Sequence, residues 1–232
     1  MSGLPLQSIA GPYTFVMNTL KDSSGRSSFN KSFQYILRLL SIEILEHDSK
    51  SVLGKDLLGA SGAVNTSRKI FNLGGWMDQF VAVSNSKWSS QRDILKTLAT
   101  LFNGSYLFFD NINVLNRIKI MSTLNDGRAS KYAMFSFWMS QLLSLIVEIL
   151  DHQQELKKGV LSKDEVKSKQ LWFAAQVIMR LCNLTYSANG WQLPLLLFGR
   201  QFSDKTCAIA GLTSGVLALS KAAVKANTKK VD

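Results

Sequence analysis

GRSSFNKSFQYILRLLSIEIL, residues 25–45, decides how the rest of the chain is read. From about Phe29 to Glu46 its apolar residues recur at helical spacing, which aligns Phe29, Phe33, Ile36, Leu37, Leu40 and Ile44 on one face. Asn30, Lys31, Gln34, Arg38 and Ser41 form a narrow polar stripe opposite. Tyr35, Leu39 and Ile42 widen the apolar arc to about two thirds of the circumference. The cluster KDSSGRSS before it predicts a turn, with Ser27 or Ser28 as N-cap. Such a helix belongs either at the centre of a bundle or in the plane of a bilayer surface, and geometry alone leaves the two level.

The composition around it favours a membrane. Hydrophobic residues make up 46% of the 232 positions and charged residues only 19%, below the roughly 25% usual in soluble domains. The net charge is +11, from 27 Lys and Arg against 16 Asp and Glu, and mean hydropathy is +0.06. A basic, slightly hydrophobic chain suits an anionic membrane surface. Nucleic acid fits worse, because the basic residues are scattered over helix ends and linkers and the aromatics sit inside apolar runs. Cys182 and Cys207 make no disulfide framework, and with His47 and His152 far apart no metal site is expected. The opening MSGLPLQSIAGPYTF lacks the pattern of a secretory signal.

Further helices are expected over VNTSRKIFNLGGWMDQFVAVSN (64–85), interrupted at Gly74-Gly75, and from about Arg92 to Met121, with Ser90 as cap. NDGRAS (125–130) predicts a turn. KYAMFSFWMSQLLSLIVEIL then holds sixteen uncharged residues between Lys131 and Glu148, at the lower limit for crossing a bilayer. TCAIAGLTSGVLALS holds fifteen between Lys205 and Lys221 and carries Gly211 and Gly215 at GxxxG spacing, a face suited to helix association. The candidate spans are therefore 132–147 and 206–220, while 171–198 is interrupted by Arg180, Asn189 and Pro194. No strand alternation occurs, so the expected fold is all-α: a membrane-associated helical bundle with amphipathic helices and room for two short spans. The expected divisions are an N-terminal segment (1–28), amphipathic and hydrophobic helices (29–150), a charged linker (151–169), C-terminal hydrophobic helices (170–222) and a basic tail (223–232).

No nucleotide-binding glycine motif, nucleophile elbow, HExxH or CxxC is present, so no catalytic residue and no cofactor is expected. His47 and His152 beside acidic residues read as solvated helix-end groups, and the two cysteines as small buried hydrophobes.

Several blocks together resemble the peroxisomal membrane elongation and proliferation proteins of the peroxin 11 (peroxisomal biogenesis factor 11) family. They are Gly25-Arg26, Gln34-Tyr35 and Arg38-Leu39-Leu40; Ser67-Arg68-Lys69 with Phe71-Asn72-Leu73-Gly74; Ser105 to Asp110; and Ala210 to Gly215. Asn72 stands where the family often has arginine. The blocks run in the family's order over roughly 13–222, and size and divergence resemble fungal members. The resemblance implies a non-enzymatic protein of the peroxisomal membrane that promotes curvature, elongation and fission and associates with itself. It also implies a dynamin-type GTPase and its adaptors as partners. On this account Phe29, Phe33, Ile36, Leu37 and Leu40 insert into the cytosolic leaflet, Lys31, Arg38, Arg68 and Lys69 hold anionic phospholipid headgroups, and Gly211 and Gly215 mediate helix association. A channel for small metabolites is the alternative the family also raises, with Arg180 and Gln176 available to line a path. A soluble helical adaptor is a third.

Overall fold

The computed structural model describes residues 6–121, 126–157 and 163–228. Among them every regular element is a helix, as the missing strand alternation leads one to expect. The chain forms two compact units. One comprises residues up to Asn65 and from Gly211 onward; the other runs from Thr66 to Ala210.

The first unit contains α1 (Leu6–Lys21), α2 (Ser23–His47), most of α3 (Val52–Ile70) and the larger part of α9 (Asp204–Thr228). Helix α2 starts earlier than the serine-rich cluster suggests. Asp22 is its N-cap residue, and Arg26 N–H already donates to the Asp22 carbonyl at 3.0 Å. Ser27 and Ser28 are therefore interior helical residues, not caps. The start is set by α1, which packs on α2: a Cβ on Gly25 would lie 1.9 Å from the Thr19 carbonyl oxygen, so only glycine permits the approach.

Helix α2 meets α3 and α9 through small and polar groups. Ser41 Oγ donates to the Gly54 carbonyl at 2.8 Å and Ser61 Oγ to the Gln34 carbonyl at 3.0 Å. On the α9 side, a Cβ at Gly211 would come within 2.3 Å of the Tyr35 ring, and one at Gly215 within 2.8 Å of Ser32 Oγ. The glycine pair thus serves close packing against α2 of the same chain. Small-residue contacts joined by hydroxyl–carbonyl bonds are how helices associate where lipid offers no hydrophobic drive.

The second unit is built from α4 (Gly75–Ser84), α5 (Gln91–Arg117), α6 (Asp126–Lys157), α7 (Lys163–Gly190) and α8 (Leu193–Phe198). Helix α5 packs along α6 and α4, and α6 along α7. Gly74, in the left-handed region at φ 84°, separates α3 from α4, so the Gly74-Gly75 interruption is a true break. Ser90 caps α5 as expected: its Oγ accepts from Asp93 N–H at 3.1 Å. The stretch 125–130, read as a turn, is helical from Asp126 onward. Residues 151–157 and 163–169 of the charged stretch continue α6 and begin α7, because paired charges such as Lys169–Glu155 (3.3 Å) sit comfortably on exposed helix faces. Residues 229–232 of the basic tail lie outside the described residues.

Among the described residues two helices are long and apolar enough to cross a membrane: Gly127–Lys157, 31 residues, and Asp204–Lys225, 22 residues. At 1.5 Å per residue they measure about 46 and about 33 Å, against a hydrocarbon core of about 30 Å. They extend the two candidates 132–147 and 206–220 at both ends.

Replacing Gly211 by Val drives a side chain into the Tyr35 ring and should cost about 1–3 kcal/mol. It should be read as a lower thermal midpoint of helical circular dichroism in detergent, with Gly59→Ala, which meets nothing within 4 Å, as the control that loses nothing. At the start of α5, the Ser90 and Ser89 hydroxyls hold the Asp93 carboxyl below its ordinary range. That contribution is complete above the ordinary carboxylate pKa and disappears as pH falls through the lowered folded value. Amide exchange in the first turn of α5 should accelerate on acidification, and less so in Ser90→Ala.

Candidate functional site

With the polar stripe of α2 turned toward α3 and α9, its apolar ridge is left outside. Phe29, Phe33, Ile36 and Leu40 are each between 43% and 49% exposed, Leu37 is half-buried, and the Phe29 and Phe33 rings stack along the face at 6.5 Å. Ser32, Gln34, Tyr35 and Ser41 are buried. The cause is the small groups at the contact: Ser32, Ser41 and the glycines opposite let the helices approach closely, and Gly211 leaves room for the Tyr35 ring, whereas the ridge is too bulky to do so.

The predicted headgroup residues have different surroundings. Lys31 is half-buried, and its Nζ donates to Ser214 Oγ of α9 at 2.7 Å. Lys69 forms an ion pair with Asp110, with side chains only 12% and 6% exposed. Both lysines are held inside because a buried hydroxyl or carboxylate across the helix interface needs a donor. Arg38 and Arg68 are half-buried.

The second unit repeats this arrangement on a larger scale. Its interior is polar: Thr97, Asp110, Asn113, Ser140, Gln141, Asn183 and Ser187 are all buried, alongside small residues such as Ala99, Ala129 and Ala133. Arg180, which sequence reasoning left without a partner, bonds Glu148 through Nη2 at 2.7 Å and Gln141 through Nη1 at 2.9 Å. Asn183 Nδ2 donates to the same Gln141 oxygen at 3.0 Å. Beside this network, between α4, α5, α6 and α7, lies a cavity of about 300 Å³ whose polar lining includes Lys96, Thr100, Asn103, Ser140 and Ser144. Gln176 lies elsewhere, in a second cavity with His152, Trp172 and Glu155. The His152 ring stacks flat on Phe173 at 4.0 Å. No group of three or more metal-ligating side chains occurs among the described residues.

Polar groups inside, bulky apolar groups outside and two helices of spanning length form one pattern: a soluble protein would leave far too much apolar surface in water. The comparisons agree with it. The family model described as peroxisomal biogenesis factor 11 (PEX11) matches residues 13–223. The chain belongs to the peroxisomal biogenesis factor 11 family. No curated protein and no solved structure matches it. Membership makes this a peroxisomal membrane protein with a role in peroxisome biogenesis and proliferation, in a family of structural biogenesis factors.

In this family member Arg180→Leu leaves Glu148 without the Arg180 donor and Gln141 with that of Asn183 only. It should destabilise the second unit by about 2–4 kcal/mol, slightly under the usual cost for a fully buried pair because the partners keep some solvent contact. Arg180→Leu with Glu148→Leu should recover most of the loss. Heat denaturation of both variants in one detergent measures the difference.

Proposed function

We propose that this protein bends the peroxisomal membrane through the outward ridge of α2, favouring elongation and then fission of the organelle. The exposure of Phe29, Phe33, Ile36 and Leu40 on the face away from α3 and α9 is the observation that supports it. Burying the remaining exposed half of four such side chains is worth roughly 4 kcal/mol. That makes α2 a shallow, reversible wedge in one leaflet, while the spanning helices keep the protein in the membrane. Arg38 and Arg68 supply positive charge toward anionic phospholipid headgroups, with Lys31 and Lys69 acting from within as ties between helices. Each wedge is weak, so shape change requires many copies in one patch. Self-association provides the density through surfaces other than the Gly211–Gly215 face, which α2 fills. A dynamin-type GTPase and its adaptors then act on the narrowed membrane.

Full-length protein reconstituted in liposomes containing anionic phospholipid should form tubules visible by electron microscopy. Phe29→Ser, Phe33→Ser, Leu37→Ser and Leu40→Ser together should abolish them while the protein stays in the carbonate-resistant fraction. Persistent tubulation by that variant would sink the wedge mechanism.

A second reading, a channel for small polar metabolites, draws support from the cavity beside Arg180 and Glu148. Planar-bilayer recordings of the purified protein decide it. Conductance that changes with Lys96→Gln supports a path through the cavity, and silence at all voltages removes it.

A further inference from the structure

Three connections of the second unit carry its most exposed apolar residues, and they converge on one end of the helix assembly. Phe71, in the break between α3 and α4, is 83% exposed; Ile120, after α5, is 69%; Leu196, in α8, is 73%. Their convergence follows from contacts between the helices that carry them. The start of α4 lies on the late part of α5, with Trp76 against Phe108 at 5.5 Å. The late part of α5 meets the early part of α6 through Phe109 and Tyr132 at 5.4 Å. The early part of α6 in turn meets the end of α7, with Phe135 against Trp191 at 5.2 Å. The opposite end, where α6 closes and α7 opens, carries the Arg92–Asp151 and Lys169–Glu155 pairs in water.

Tight turns bound the apolar end. Lys119 and Gln192 hold left-handed backbone at φ 60° and 68°, and Gly199 closes α8 at φ 69°. Non-glycine residues hold such conformations only where the surroundings enforce them. Between these turns the chain shows solvent Leu195, Leu196, Leu197 and Phe198 in succession. Around them stand exposed basic side chains, Arg117, Lys119, Arg128, Lys131 and Arg200, against Asp78, Asp126 and Asp204 in the same stretches of sequence.

We infer that this end of the second unit is a membrane-insertion tip, distinct from α2. Its loop residues Phe71, Ile120 and Leu196–Phe198 enter the boundary between headgroups and acyl chains, and its basic collar rests on anionic headgroups. A bilayer fits better than a protein partner for three reasons. The apolar residues come from three separate connections of the chain, the collar carries excess positive charge, and α6 begins within the collar and is long enough to cross from there. The tip fixes the orientation of the second unit: apolar loops at one interface, ion-paired helix ends in water.

The test uses the full chain with Cys182→Ala and Cys207→Ala, and one new cysteine at a time: Phe71→Cys, Ile120→Cys, Leu197→Cys or, at the opposite end, Lys167→Cys. Each is labelled with an environment-sensitive fluorophore and reconstituted in phosphatidylcholine vesicles with or without phosphatidylserine. The first three labels should be quenched severalfold more by nitroxide-bearing lipid than by aqueous iodide, and the label at 167 the reverse. Leu196→Asp with Leu197→Asp should restore iodide access at 71 and 120 while helical circular dichroism is unchanged. Iodide access at 71, 120 and 197 in the parent chain would overturn the inference. So would shielding from both quenchers that is relieved by diluting the protein in lipid, which would mark a contact between copies. The α2 serine variant should keep the tip shielding, so failure of the wedge and failure of the tip are told apart.

Discussion

The constraint on which the structure depends is the contact between the polar side of α2 and the small residues of α9. Gly211 and Gly215 leave room for Tyr35 and Ser32, and Lys31 reaches Ser214 across the seam. Once that seam is made, Tyr35 fills the space at Gly211 and the ridge of Phe29, Phe33, Ile36 and Leu40 is left to look outward. Hydroxyls bonded to backbone carbonyls at Gly54 and Gln34 fasten α3 to the same side. The result reverses the usual soluble arrangement: short polar groups lie within and the hydrocarbon lies without. The second unit obeys the same rule with Arg180, Glu148 and Gln141 inside. Polar groups cut off from water need partners in the protein, and Arg180, Gln141 and Asn183 supply them for one another.

Much of this was legible in the chain as written, for physical reasons that vary from element to element. Spacing alone places Phe29, Phe33, Ile36 and Leu40 on one face, because helical period is local. Ser90 as a cap, and a break at Gly74-Gly75, are equally local and equally visible. Spacing does not say which side of an amphipathic helix meets protein. A polar stripe next to lipid headgroups and a polar stripe next to glycine-rich helices have the same sequence. The depth of Lys31 and Lys69 therefore escaped, since Ser214 and Asp110 lie far along the chain. The missed starts of α2 and α6 have a simpler cause. Serine, glycine and aspartate favour turns in isolation, but packing overrides that preference, as Gly25 shows against Thr19.

Arg180 illustrates how a residue changes meaning with its neighbours. On its own in an apolar segment it argues against burial, at a cost of about 2.5–3.5 kcal/mol near a bilayer centre. Paired with Glu148 and bonded to Gln141 it becomes an interior tie between α6 and α7. The carboxylate that balances it marks the edge of the uncharged run in α6, so a residue that limits the apparent span also permits the arginine opposite.

The seam between α2 and α9 also bears on the order of events during synthesis. Lys31 and Ser214 are 183 positions apart, so α2 leaves the ribosome long before its partner exists. Through that interval the polar side of α2 has no helix to satisfy it, and entry into hydrocarbon would strand its serines, Gln34 and Lys31. Water, or a protein that holds nascent chains, must therefore keep α2 until α9 is complete. Assembly of the first unit therefore waits on α9 and is closed by the arrival of two glycines.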